Sequence, residues 1–91
     1  EFYAPWCGHC QALKPTYKEL GTRLAGADVV VGAMDATANS PPDGYDVQGY
    51  PTLIFKTASG KTTSYDGDRD VDSMVAYIKE HAEAESVKSE L

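Results

Sequence analysis

A stretch of helical periodicity lies between two runs of strand character, and that order restricts the fold more than any other feature of the sequence. Leu13, Tyr17, Leu20 and Leu24 recur at helical spacing and share one helix face. Before them, Glu1-Phe2-Tyr3-Ala4 is short, partly aromatic and closed by Pro5, as the end of a strand would be. After them, Val29-Val30-Val31-Gly32-Ala33-Met34 is apolar and β-branched between Asp28 and Asp35, which predicts a strand buried on both faces. Two such strands joined through a helix pair in parallel by a right-handed crossover. Pro15 falls inside the helical stretch and is expected to bend it. Gly26 marks its end.

The second half reads differently. Residues 36–50 are rich in Ala, Asn, Ser, Pro and Gly, with room for one short helix beside Pro41-Pro42. Thr52-Leu53-Ile54-Phe55-Lys56 predicts a strand, Thr57-Ala58-Ser59-Gly60 a turn, and residues 61–65 a returning strand, so the three make a hairpin. Asp66-Gly67-Asp68 breaks the pattern and offers a helix cap. Val71, Val75, Ile78 and Ala82, with Met74 beside them, then form an apolar helical stripe. Residues 83–91 have no apolar face and are expected to be a flexible acidic tail. The fold class that follows is α/β: one domain over residues 1–82, a small mixed sheet flanked by helices.

Composition bounds the function. Ninety-one residues, 42% apolar and 10% aromatic, suit a single small domain with a packed core. A net charge of -6 argues against a general affinity for nucleic acid or anionic membrane. No run approaches the roughly 20 apolar residues of a spanning helix, so no membrane insertion is expected. The chain opens on Glu1-Phe2-Tyr3 without Met, and the expectation is a domain cut from something longer.

The only two cysteines, Cys7 and Cys10, sit in Cys7-Gly8-His9-Cys10. A bridge across so short a loop removes little entropy from the unfolded chain, so chemistry explains the pair better than stability does. At a helix start, unsatisfied amides and the helix dipole both favour a thiolate at Cys7. Cys10, one turn further in, lacks those donors. His9 can take up a proton near neutral pH and would favour the Cys7 thiolate further. A closed zinc site needs four ligands, and the other histidine, His81, is far along the chain. Covalent haem attachment needs His after the second cysteine, where Gln11 stands.

Phe2-Tyr3-Ala4-Pro5-Trp6-Cys7-Gly8-His9-Cys10 resembles the active-site segment of a catalytic thioredoxin-like domain of the protein disulfide isomerase family. The resemblance continues in Lys14-Pro15, in Met34-Asp35-Ala36-Thr37-Ala38-Asn39, in Val47-Gln48-Gly49-Tyr50-Pro51-Thr52-Leu53 and in Tyr65-Asp66-Gly67-Asp68-Arg69. It implies a thioredoxin-like mixed sheet flanked by helices that lacks the N-terminal strand and helix of the complete fold. It implies Cys7 as the nucleophile, Cys10 as the resolving thiol and Pro51 as a cis-proline facing them; from residues alone Pro51 is an ordinary turn proline. Glu1 would match a buried glutamate that accepts the Cys10 proton, and Arg69 a mobile arginine that approaches the second cysteine. Read without the resemblance, Glu1 is an exposed charged residue and Arg69 a solvated neighbour of a helix cap. Trp6 and Tyr50 would offer an apolar patch to unfolded peptide, or serve as packing residues.

One departure from the family pattern touches the site. The strand position where relatives carry a lysine that pairs with the buried glutamate is here Gly32-Ala33. Lys88-Ser89-Glu90-Leu91 resembles the Lys-Asp-Glu-Leu retention signal, with Ser for Asp, and points to the endoplasmic reticulum lumen and to the C-terminal catalytic domain of a parent protein. The implied activity is formation, reduction and rearrangement of disulfides in folding secretory proteins, without metal or organic cofactor and with glutathione or a thiol oxidase as redox partner. A reductive thioredoxin-type enzyme and a non-catalytic, chaperone-like peptide-binding module are the alternatives.

Overall fold

The computed structural model describes residues 1–82 in full and the helical backbone of residues 83–90. The elements in chain order are β1 (Phe2–Tyr3), α1 (Gly8–Arg23), β2 (Met34–Asp35), β3 (Ile54–Lys56), β4 (Thr62–Ser64) and α2 (Val71–Glu90). Strand β1 pairs in parallel with β2, Phe2 opposite Met34 and Tyr3 opposite Asp35, and α1 makes the crossover between them. Strands β3 and β4 form the antiparallel hairpin, with Phe55 opposite Thr63. Its turn closes at Gly60, whose φ of +94° suits a residue without Cβ. Phe2 and Thr52 exchange backbone hydrogen bonds of 2.8 and 3.0 Å, an antiparallel bridge that ties the two sheets together at β1.

Helix α1 runs without interruption through Pro15 and ends at Leu24, whose amide reaches back to Leu20 O at 3.0 Å. Its apolar face meets that of α2: Leu13, Leu20, Leu24, Val71 and Met74 are buried together, with Tyr17, Leu53, Val75 and Ile78 packed around them. Helical spacing put these residues on facing stripes, and burying those stripes is the main source of stability for helices of this length.

Two expectations are corrected. Residues 29–33 form no strand, and Val30 is 96% exposed. In the parallel register of Phe2 with Met34, residues 29–32 extend past Glu1, so β1 offers nothing for them to pair with. The cap of α2 is Asp70 rather than Asp66-Gly67-Asp68: its carboxylate accepts the Ser73 amide and hydroxyl, each at 2.8 Å. Helix α2 continues over residues 83–90. Their Ala, Glu and Lys content favours helix locally even without an apolar face. The loop over residues 36–50 contains turns and no helix.

Candidate active site

The cysteine pair begins where β1 hands over to α1. Ala4 O accepts the Cys7 amide at 3.1 Å and turns the chain through Pro5 and Trp6 into the helix. Cys7 is the N-cap residue of α1, in an extended conformation, and its Sγ accepts the Cys10 amide at 3.2 Å. An amide that the helix itself leaves unsatisfied therefore points at this sulfur, together with the positive end of the helix dipole. Gly8 and His9 are exposed on the first turn, and a Cβ at Gly8 would meet nothing within 4 Å.

Cys10 lies on the inner side of the same turn, 2% exposed, in a cluster with Ala4 and Cys7. Both cysteines are free thiols. Burial pushes the Cys10 pKa up, the hydrogen bond with Cys7 and the charges at Cys7 and Glu1 add to that, and a backbone bond with Ala4 opposes them. The two sulfurs thus differ in kind. Both are buried, 7% and 2% exposed, but Cys7 accepts a helix amide while burial raises the pKa of Cys10.

The loop before β3 closes over the pair. Tyr50 packs on the Ala4, Cys7 and Cys10 cluster, and the Tyr50–Pro51 peptide bond is cis. The next residue, Thr52, is pinned to β1 by its bridge to Phe2 and donates its hydroxyl to Gly49 O at 2.6 Å. Trp6 is 71% exposed and meets the Tyr50 ring edge-on, centroids 5.7 Å apart. The outer wall beside the dithiol is therefore aromatic and open to solvent.

Glu1 approaches from beneath. Its Oε2 is buried with no hydrogen-bond partner, and burial raises its carboxyl pKa against the pull of the chain's amino group and of Lys14. Glu1, Cys10 and Lys14 line one cavity of about 250 Å³. Arg69 is not brought to that cavity. It is exposed and lines a separate polar groove with Gly49, Pro51 and Asp66.

Sequence reading took Tyr17 for a packing residue and gave Lys14 no role. In the structure the Tyr17 hydroxyl donates to Gly32 O at 2.5 Å and accepts from the Glu1 nitrogen at 3.1 Å. The available clue was spacing: Cys10, Lys14 and Tyr17 follow one another at four and three residues, so they share a helix face. Burial, and then the Glu1 charge, push the Tyr17 phenol up to about 12. In a spectrophotometric titration of the six tyrosines, Tyr17→Phe should remove a phenol that ionises near 12 and leave the other transitions in place.

With this geometry the comparisons with known proteins agree. The family profile described as Thioredoxin matches residues 1–80. The chain belongs to the thioredoxin family. It is 56% identical over 84 residues to protein disulfide-isomerase of Zea mays, which takes in 91% of this chain and 16% of that protein. It is 46% identical over 93 residues to protein disulfide-isomerase A3 of Gallus gallus, or 99% of this chain and 18% of the relative. The chain thus spans less than a fifth of the length of these curated relatives. Among solved structures, the first thioredoxin domain of mouse protein disulfide-isomerase A4 is similar with a TM-score of 0.77 and 39% identity, over 90% of this chain and 60% of that one. The α/β thioredoxin-like fold class stands. Among the described residues no group of three or more His, Cys, Asp or Glu could hold a metal ion, and no helix is long and apolar enough to cross a membrane.

Proposed function

We propose that this thioredoxin-family chain is a thiol–disulfide oxidoreductase and isomerase domain that forms, reduces and rearranges disulfides in folding secretory proteins. The observation that carries the reading is the asymmetry of the pair: the Cys7 sulfur caps the helix and accepts its amide at 3.2 Å, while Cys10, one turn further in, is the more deeply buried and has its pKa raised. Relatives named protein disulfide-isomerase, similar over most of the chain, support it.

In the reductive direction the Cys7 thiolate attacks one sulfur of a substrate disulfide. The substrate S–S bond breaks, one substrate thiolate leaves, and a mixed disulfide joins Cys7 to the other sulfur. Cys10 then gives its proton to the Glu1 carboxylate and attacks the Cys7 sulfur, so the second substrate thiolate leaves. Cys7 and Cys10 end as a disulfide, oxidised by the two electrons that the substrate has gained. Oxidation of a substrate dithiol is the reverse, and isomerisation stops at the mixed disulfide and returns. Trp6, Tyr50 and Pro51 form the wall on which an unfolded peptide docks. Arg69 acts by moving toward Cys10 from its exposed loop. His9 and Gly8 keep the helix start polar and unobstructed. Glutathione or a thiol oxidase restores the disulfide, and the exchange needs no metal or organic cofactor.

The site of action is the endoplasmic reticulum lumen. The resemblance of Lys88-Ser89-Glu90-Leu91 to a retention signal supports that placement; Leu91 lies outside the described residues. Equilibration of the dithiol with glutathione tests the reading. Protein disulfide isomerase has a reduction potential of about -180 mV and thioredoxin about -270 mV, and this pair is expected near the former. A value near thioredoxin's would replace the oxidase–isomerase with a reductant.

A further inference from the structure

The cavity beneath the dithiol contains a charge that the exchange reaction has not yet used. Cys10, Lys14 and Tyr17 line it from one face of α1, and Glu1 faces them from β1's end. The wall supplied by the chain before β2 is Ala33, next to Gly32, and has no cation. Yet the Glu1 Oε2 is buried without a hydrogen-bond partner, a position in which a carboxylate is costly unless a positive charge stands near. We propose that Lys14 is a positioning residue for Glu1: from the helix side it supplies the positive charge that Gly32-Ala33 lacks, and so keeps the Glu1 carboxylate able to take the Cys10 proton.

This rests on the dithiol exchange proposed above. During resolution the thiol proton of Cys10 passes to the Glu1 carboxylate, the bond between Cys7 and substrate sulfur breaks, and the Cys7–Cys10 bond forms. Burial raises the Glu1 pKa, and so favours the carboxyl that already holds a proton over the carboxylate that accepts one. The chain's amino group opposes that burial most, and Lys14 after it is the side chain that does so.

The other groups around Glu1 are poor substitutes. Tyr17 stays neutral up to about 12, and Cys10 is held protonated by burial. Lys18 lines the same cavity, a turn further along α1 than Lys14. On the far side Asp28, Tyr45 and Lys56 line a broad open groove, and Tyr65 and Tyr77 a smaller apolar pocket. Lys14 and Lys18 both lie on the Cys10 face of α1, and Lys14 is the nearer along the helix, one turn from the thiol whose proton is transferred.

The test follows Glu1 itself. The Glu1 carboxyl carbon is titrated by NMR in the 91-residue chain, and release of glutathione from a Cys7–glutathione mixed disulfide is timed across the same pH range. Lys14→Met is expected to move the Glu1 midpoint to higher pH and to slow release about threefold below that midpoint, the scale of a partly screened charge pair. Lys14→Arg should restore both, and Lys18→Met should leave the midpoint in place. An unmoved Glu1 midpoint in Lys14→Met, or an equal shift in Lys18→Met, overturns the assignment. The NMR titration does not depend on turnover. A chain that exchanges no disulfides would therefore refute the proposed activity, while the Glu1 midpoint still decides the pairing.

Discussion

Cys10→Ser is expected to turn the chain into a trap, with Cys7 joined to substrate protein through disulfides that persist on a non-reducing gel. Serine fits the space, and the hydrogen bond that matters to Cys7 comes from the amide of residue 10 rather than from its side chain. The nucleophile is therefore left intact. What disappears is the internal attack on the mixed disulfide by a thiol already held within one helical turn. Well-oriented intramolecular groups act at effective concentrations far above any external thiol, so escape should slow on the order of a hundredfold or more. Cys7→Ser should capture nothing. If both variants hold unfolded protein as well as the parent chain does, and without covalent capture, the domain is a peptide-binding module with an idle dithiol.

The two helices were legible because their apolar positions recur at helical spacing and meet. Leu13, Leu20 and Leu24 face Val71 and Met74 as the stripes imply. The valine run over residues 29–31 misled for a reason periodicity does not contain. A strand needs an edge to pair with, and composition alone does not say whether the neighbouring strand reaches that far. Local chemistry likewise decided the start of α2. Several aspartates precede the helix, but Ser73, three residues on, gives Asp70 two donors, an amide and a hydroxyl. The other aspartates have no equivalent partner there.

At the site, the asymmetry of Cys7 and Cys10 followed from placing the pair at a helix start. The cis geometry of Pro51 did not, since nothing local distinguishes Tyr50-Pro51 from a trans turn; it came from the family resemblance. Arg69 is carried over from the resemblance as a residue that moves. The motif carries the residue, but the loop leaves it in a groove apart from the Cys10 cavity. Lys14 was readable in principle, one turn beyond Cys10, but only the fold shows that this face looks onto Glu1.

Leu20→Ala should destabilise the fold more than any surface change, and its comparison with Val30→Ala tests where the core lies. Leu20 is 4% exposed in the seam between α1 and α2, surrounded by Leu13, Leu24, Val71 and Met74. Cutting it to alanine removes transfer free energy and leaves a cavity that packed helices cannot close, a loss of about 2–5 kcal/mol. Domains of this size have about 5–15 kcal/mol in total, so much of the stability would go. In urea the midpoint should fall with the slope unchanged. Val30 is 96% exposed, and its truncation should cost no more than about 0.5 kcal/mol. Equal losses at the two positions would mean that residues 29–33 are packed as a strand in solution. A large loss at Leu20 alone places the stabilising burial in the helix seam. Because Cys7 caps α1 and Cys10 lies in its first turn, that seam also fixes the geometry of the dithiol.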